Sequence, residues 1–138
     1  MAFDSIVAFV FMLHITSLHH VAVCVTNIAR SKSFYGGVLG LREVARPPFP
    51  FEGAWYELAD GRQLHLIVHE RPRTLRGTTE IDLRDGHFAF GVSDYAGTVK
   101  QLQDAGVPCE VRPDNITPWQ QVYVTDPDGN VIELNAPR

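Results

Sequence analysis

His20-Val-Ala-Val-Cys-Val-Thr-Asn-Ile28 returns further along the chain as His87-Phe-Ala-Phe-Gly-Val-Ser-Asp-Tyr95, an offset of 67 residues. The offset holds through Asn27 on Asp94, Glu43 on Glu110 and Val44 on Val111. It then becomes 68, where Ala59-Asp-Gly-Arg-Gln-Leu-His-Leu66 aligns with Pro127-Asp-Gly-Asn-Val-Ile-Glu-Leu134 and places His65 on Glu133. One inserted residue accounts for the change. A self-similar period of this kind marks a duplicated structural unit.

Each copy reads strand, helix, strand, strand, strand. The first strand, about 18–26, alternates, with Val21, Val23 and Val25 on one face and His20, Ala22 and Cys24 on the other. Asn27 caps a helix that stops near Gly40, and Asp94 caps a second that stops near Gly106. Strands follow at about 41–47, 53–59 and 62–69, and again at about 108–112, 120–126 and 130–135. Asp60-Gly61 and Asp128-Gly129 are hairpin turns, because glycine accepts positive φ. Arg71, Pro72, Arg73, Arg76 and Gly77 mark a linker. The expected organisation is an extension over 1–17, a first module over about 18–70, a linker over about 71–84 and a second module over about 85–138. A module of this size cannot bury both faces of its own sheet. The two should pair as βαβββ units in one α+β domain, forming a cupped, mostly antiparallel sheet with the helices outside.

Composition narrows the function classes. Hydrophobic residues make up 45% and charged residues 20% of the 138, so a packed core is expected rather than disorder. Twelve basic against sixteen acidic residues give a net charge of −4 with no basic stripe, which argues against nucleic acid and anionic membranes as partners. Two cysteines, Cys24 and Cys109, are too few for a disulfide framework and point to a reducing, cytoplasmic setting. The apolar run Ile6–Leu13 is far shorter than a spanning helix, and the early charge is Asp4 rather than a basic cluster. Met12 stands just ahead of the first strand pattern, which makes residues 1–11 an upstream start or an appended tail.

Sorting the strands by face separates packing from chemistry. One face is uniformly apolar: Val21, Val23, Val25, Leu64, Leu66, Val68, Phe88, Phe90, Val92, Ile132 and Leu134. The opposite face mixes small and polar residues: His20, Ala22, Cys24, Gln63, His65, Ile67, His69, His87, Ala89, Gly91, Val131, Glu133 and Asn135. That mixture suits the wall of a ligand cavity. His20 with His87, and His65 with Glu133, occupy repeat-related positions, and twofold-related strands would bring all four to one axis. Three imidazoles and a carboxylate suit a divalent transition metal, with ligand distances of roughly 2 Å. Such a centre would keep a formal charge of about +1, enough to acidify bound water or stabilise an enolate oxygen. His19 lies on the valine face, while His14 and His69 fall at the borders of the pattern; all three read as packing or surface residues.

Leu18-His-His-Val-Ala-Val23, Ser33-Phe-Tyr-Gly-Gly-Val-Leu-Gly-Leu41, Asp85-Gly-His-Phe-Ala-Phe90 and Asp126-Pro-Asp-Gly-Asn-Val-Ile-Glu-Leu134 resemble the vicinal oxygen chelate superfamily. Glyoxalase I, fosfomycin- and bleomycin-resistance proteins, methylmalonyl-CoA epimerase and extradiol dioxygenases belong to it. The resemblance covers about 18–136 and implies a metal in a cupped sheet that a substrate chelates through adjacent oxygens. The implied metal positions are His20, His65, His87 and Glu133, with zinc, nickel, manganese or iron as the ion. Glyoxalase I usually carries a glutamate where His65 stands. Its bacterial form has an arginine at the place of Cys24 and an asparagine at that of His69. The extradiol comparison implies a triad of His20, His87 and Glu133, with His65 and Tyr123 as proton-handling groups. Fosfomycin-resistance enzymes match the same His20, His87 and Glu133.

Phe49, Phe51 and Trp55 in the first copy, with Trp119 and Arg112 in the second, are candidate substrate-wall residues. Arg112 opens a loop that could face an anionic substrate. The functional expectation is a divalent-metal-dependent enzyme acting on a small organic molecule through vicinal oxygens, by lyase or isomerase chemistry, with Glu133 as ligand and possible base. An extradiol-type dioxygenase and a metal-free binding protein of the bleomycin-resistance type are the alternatives. A homodimer is expected, with the pairing of modules within or between chains left open.

Overall fold

The computed structural model describes residues 13–71, 78, 80–82 and 84–138. Met12, the residues before it and the linker positions Pro72, Arg73, Arg76 and Gly77 lie outside the described residues. In the first unit β1 (His20–Val25) leads into α1 (Ile28–Lys32), followed by β2 (Arg42–Val44), β3 (Gly53–Glu57) and β4 (Gln63–Val68). The second unit repeats the order as β5 (Phe88–Gly91), α2 (Tyr95–Asp104), β6 (Cys109–Arg112), β7 (Trp119–Thr125) and β8 (Val131–Pro137). The sheets run β1-β4-β3-β2 and β5-β8-β7-β6, with β1 and β5 parallel to β4 and β8 and all other neighbours antiparallel. The expected βαβββ duplication is therefore present. Each unit forms its own four-stranded sheet, and β1 and β5 are both edge strands.

Local signals act where the sequence puts them. The Asn27 carboxamide accepts from the Arg30 amide at 2.9 Å, and the Asp94 carboxylate accepts from Gly97 at 2.9 Å, each satisfying a helix-start donor. Gly40 and Gly106 both take φ of 68°, and the hairpin residues Gly61 and Gly129 take 84° and 87°. The first helix differs from its copy: after Lys32 it widens into a π-helical turn over Ser33–Val38, with the Leu39 amide reaching the Phe34 carbonyl. This turn buries Phe34 and Tyr35 together.

The apolar faces do the packing. Val23, Val25, Leu64, Leu66, Val122, Val124, Ile132 and Leu134 are buried in one continuous core with Phe34, Tyr56 and Leu102. Burial of each such side chain is worth about 1.5–3 kcal/mol. One part of the sequence repeat does not survive in three dimensions. Glu43 lies opposite Tyr56, which belongs to the core face, whereas Glu110 lies opposite Tyr123, which belongs to the other face. Trp55 opposite His65 and Tyr123 opposite Glu133 are the equivalent pairs, so the offset is already 68 in β3 and β7. A one-residue difference in the pairing of β2 and β6 exchanges their faces, as a period of two requires.

The two units are joined at the last hairpin. Asp126, buried, accepts from the Tyr35 hydroxyl at 2.7 Å, from the Asn130 carboxamide at 2.7 Å and from the amides of Asp128 and Asn130 at 2.9 Å. Asn130 also donates to the Cys24 carbonyl, and Asp128 accepts from Thr26 and Arg30. The corresponding Asp60 turn only bonds the amide and guanidinium of Arg62 beside it.

Candidate metal centre

In the second unit β5, β7 and β8 hold a carboxylate in a net of donors. Glu133 Oε1 accepts from Gln121 and Asn135 at 2.9 Å each, and Oε2 accepts from the Tyr123 hydroxyl at 3.0 Å. Gln121 also donates to the Tyr123 oxygen at 2.9 Å. Burial alone would raise the Glu133 pKa, but the bonds from Asn135, Gln121 and Tyr123 and the nearby His87 hold it below the usual range. Tyr123 is pushed up to about 12, by burial and then by its bond to Glu133, so it keeps its proton.

His87 Nδ1 lies 2.9 Å from the Asp85 carbonyl, which can only accept, so this nitrogen carries a proton. Nε2 is turned toward Glu133 Oε2, 3.3 Å away. A proton or a metal ion between these two atoms would bridge them. A ring fixed through its second nitrogen and a carboxylate fixed by three donors are the usual support of metal ligands. This donor set fits a divalent ion.

The first unit builds its half differently. The His65 ring is stacked between Trp55, at 4.1 Å and 5° between planes, and His20, at 4.3 Å and 18°. Its Nε2 is 2.8 Å from the Gln63 side chain, and His20 Nδ1 is 2.9 Å from His19 Nδ1. Burial, then His20, His19 and Arg46, keep the His65 pKa below the ordinary imidazole value, favouring the neutral form that can act as a ligand. His19 is exposed and bonded to His20 rather than packed among the valines. His14 and His69 are exposed.

Within one chain the four candidate ligands form two pairs, not one cluster. Among the described residues no three His, Cys, Asp or Glu side chains are grouped so as to hold a metal. A cleft of about 1060 Å³ lies between the edge strands, with His20, Ala22, Cys24 and Gln63 on one lip and His87, Ala89 and Gly91 on the other. Both edges carry accessible backbone, since Ala22, Ala89 and Gly91 are exposed.

The remaining candidates flank these pairs. Phe49 and Phe51 are exposed and stack at 5.3 Å, and Phe49 approaches Trp55 at 6.1 Å. Trp119 is exposed at the start of β7. Arg112 sits on the Tyr123 face but is paired with Glu110, with Nε buried. Gln121 was not a sequence candidate, although its spacing of two from Tyr123 puts it on the same strand face. Arg46 was not one either: the strand expected over about 41–47 ends at Val44, so Arg46 lies beyond β2 and its place is set by packing.

With this fold and these half-sites in view, the comparisons are specific. The Glyoxalase/Bleomycin resistance protein/Dioxygenase superfamily model matches residues 17–134, and the chain belongs to that superfamily. It is similar to Glyoxylase I 4 of Arabidopsis thaliana, at 34% identity over 126 residues, covering 88% of this chain and 71% of that protein. It is also similar to the metallothiol transferase FosB of Staphylococcus haemolyticus, at 28% identity, covering 88% and 84% respectively. A glyoxalase/dioxygenase structure from Nostoc punctiforme shares the fold, with a TM-score of 0.73 and 23% identity over 88% of this chain and 91% of that one. Among the described residues no helix is long and apolar enough to cross a membrane.

Proposed function

We propose that the protein is a divalent-metal-dependent enzyme that handles a small organic substrate through adjacent oxygens, by lyase or isomerase chemistry. One observation carries the reading: His87 Nε2 and Glu133 Oε2 face each other at 3.3 Å, each residue fixed from behind by hydrogen bonds. His87 and Glu133 would hold the ion with His20 and His65. A bound divalent ion supplies Lewis acidity toward substrate oxygens. Gln121 and Asn135 orient the Glu133 carboxylate, and Tyr123 keeps a proton beside it. His65, neutral between two rings, is available as a ligand or to accept a proton. The enzyme names of the similar proteins support this class.

Because each chain presents the two pairs on separate sheets, the centre is completed between two copies, β1 of one facing β5 of the other. This makes the protein a homodimer with two equivalent centres. The test mixes the His20→Ala/His65→Ala variant with the His87→Ala/Glu133→Gln variant after unfolding and refolding together. Centres shared between chains give mixed dimers with one intact metal site, seen as recovered stoichiometric metal by elemental analysis. No recovery, with both variants folded, refutes sharing. A wild-type protein that takes up neither manganese, iron, nickel nor zinc refutes the enzyme reading.

A second reading has its own support. The Gln63 contact and the stacking on Trp55 suit His65 to an acid/base role outside the ligand set, as in an extradiol-type centre of His20, His87 and Glu133. His65→Ala with full metal affinity and lost turnover selects it.

A further inference from the structure

We propose that Arg46 receives an anionic group of the substrate, so that the substrate is an organic carboxylate whose apolar body lies along the aromatic side chains beside Arg46. The inference rests on the reading that the face carrying His65 is the substrate side of the sheet.

Arg46 is held in place by three independent contacts. Its Nη2 donates to the Phe51 carbonyl at 2.9 Å, and its guanidinium carbon lies 4.9 Å from the centre of the Phe49 ring and 5.0 Å from that of Phe51. The third contact is a missing side chain. A Cβ on Gly53 would stand 3.0 Å from Arg46 Nε, 3.1 Å from its Cζ and 2.3 Å from the Leu66 carbonyl oxygen. Gly53 is two residues before Trp55 on β3, so the guanidinium rests against the strand on the face where Trp55 covers His65.

This cation is not neutralised among the described residues. Arg30, Arg42, Arg62, Arg84 and Arg112 pair with Asp128, Glu57, Asp60, Asp82 and Glu110. Arg46 has no carboxylate within pairing distance among the described residues, and its one hydrogen-bond acceptor there is the Phe51 carbonyl. Four of the five guanidinium donors are thus available in a fork that suits a carboxylate. Arg112, the arginine expected from the sequence to meet an anion, is already occupied by Glu110.

Rings run from Arg46 toward His65: Phe49 is 6.1 Å from Trp55, and Trp55 is 4.1 Å from His65. With Phe49 and Phe51 exposed, they offer an apolar surface to the body of a substrate whose acid end is held at Arg46.

The test compares 3-(3,4-dihydroxyphenyl)propanoate with 4-ethylcatechol, which keeps the ring and both oxygens but lacks the acid. Binding to the full-length protein is followed by calorimetry, with metal content measured on the same sample. Wild type should bind the acid about tenfold more tightly than the neutral catechol, the range of one charged hydrogen-bonded pair. Arg46→Met should abolish this preference while leaving 4-ethylcatechol affinity and metal content unchanged, and Arg46→Lys should restore part of it. An unchanged preference in Arg46→Met, no preference in wild type, or no binding of either probe by metal-loaded protein would overturn the proposal. A protein that takes up no metal fails instead at the functional reading on which the proposal stands.

Discussion

The two units share an order of strands but prepare their functional residues in opposite ways. In the second, Glu133 is held by Gln121, Tyr123 and Asn135, and His87 is fixed through the Asp85 carbonyl, so both candidate ligands are oriented by hydrogen bonds. In the first, His65 and His20 are held mainly by stacking, and Nε2 of His65 is engaged by Gln63. Duplication gave matching positions, and later divergence made one half rigid through hydrogen bonds and the other adjustable through ring contacts. A stacked ring can slide or turn at small cost, whereas a carboxylate with three donors cannot.

Breaking the rigid half should have the largest effect. Glu133→Gln or His87→Ala should reduce metal affinity by more than about a hundredfold, read by competition with a chelating dye. The structural asymmetry comes next. Asp126→Ala strands the buried Tyr35 hydroxyl and Asn130, and should cost on the order of 3 kcal/mol in urea unfolding, whereas Asp60→Ala in the matching turn should cost less than about 0.5 kcal/mol. Gln121→Leu should weaken metal binding about tenfold by loosening Glu133. Gln63→Leu in the adjustable half should leave metal affinity the same or improve it, by freeing His65.

The smallest effect is one of pH. Burial, then the Asp126 charge and hydrogen bond, raises the Tyr35 pKa far above its ordinary value of 10.0. A folded pKa above the unfolded one gives stability that is fully present below the unfolded value and fades as pH rises past it. Urea midpoints should therefore fall above about pH 10, and Tyr35→Phe should flatten part of that fall, with Tyr123, Tyr56 and Tyr95 carrying the remainder.

Much of this was legible in the chain itself. The alternation of valines with His20, Ala22 and Cys24 set the faces of β1, and the caps Asn27 and Asp94 began both helices, because these are short-range effects. The π-helical turn was not legible: it brings Phe34 and Tyr35 into the core together and carries the Tyr35 hydroxyl to Asp126 of the second unit, a contact distant in sequence. The repeat also misled at β2 and β6. Similar residues at Glu43 and Glu110 aligned well, yet strand register is chosen by cross-strand packing and placed them on opposite faces. Gln121 lay within reach of the alternation argument, whereas Arg46 depended on an absent Cβ at Gly53 and two rings several residues away.

By itself, the sequence determined the duplicated βαβββ plan, the apolar faces and four candidate ligands at repeat-related positions, since periodicity and repeat position act along the chain. Tertiary structure decided how those four are distributed, as one pair on each sheet, and that Arg46 meets no carboxylate among the described residues. Both depend on which surfaces meet and which charges find partners, and those are properties of the packed molecule rather than of any segment.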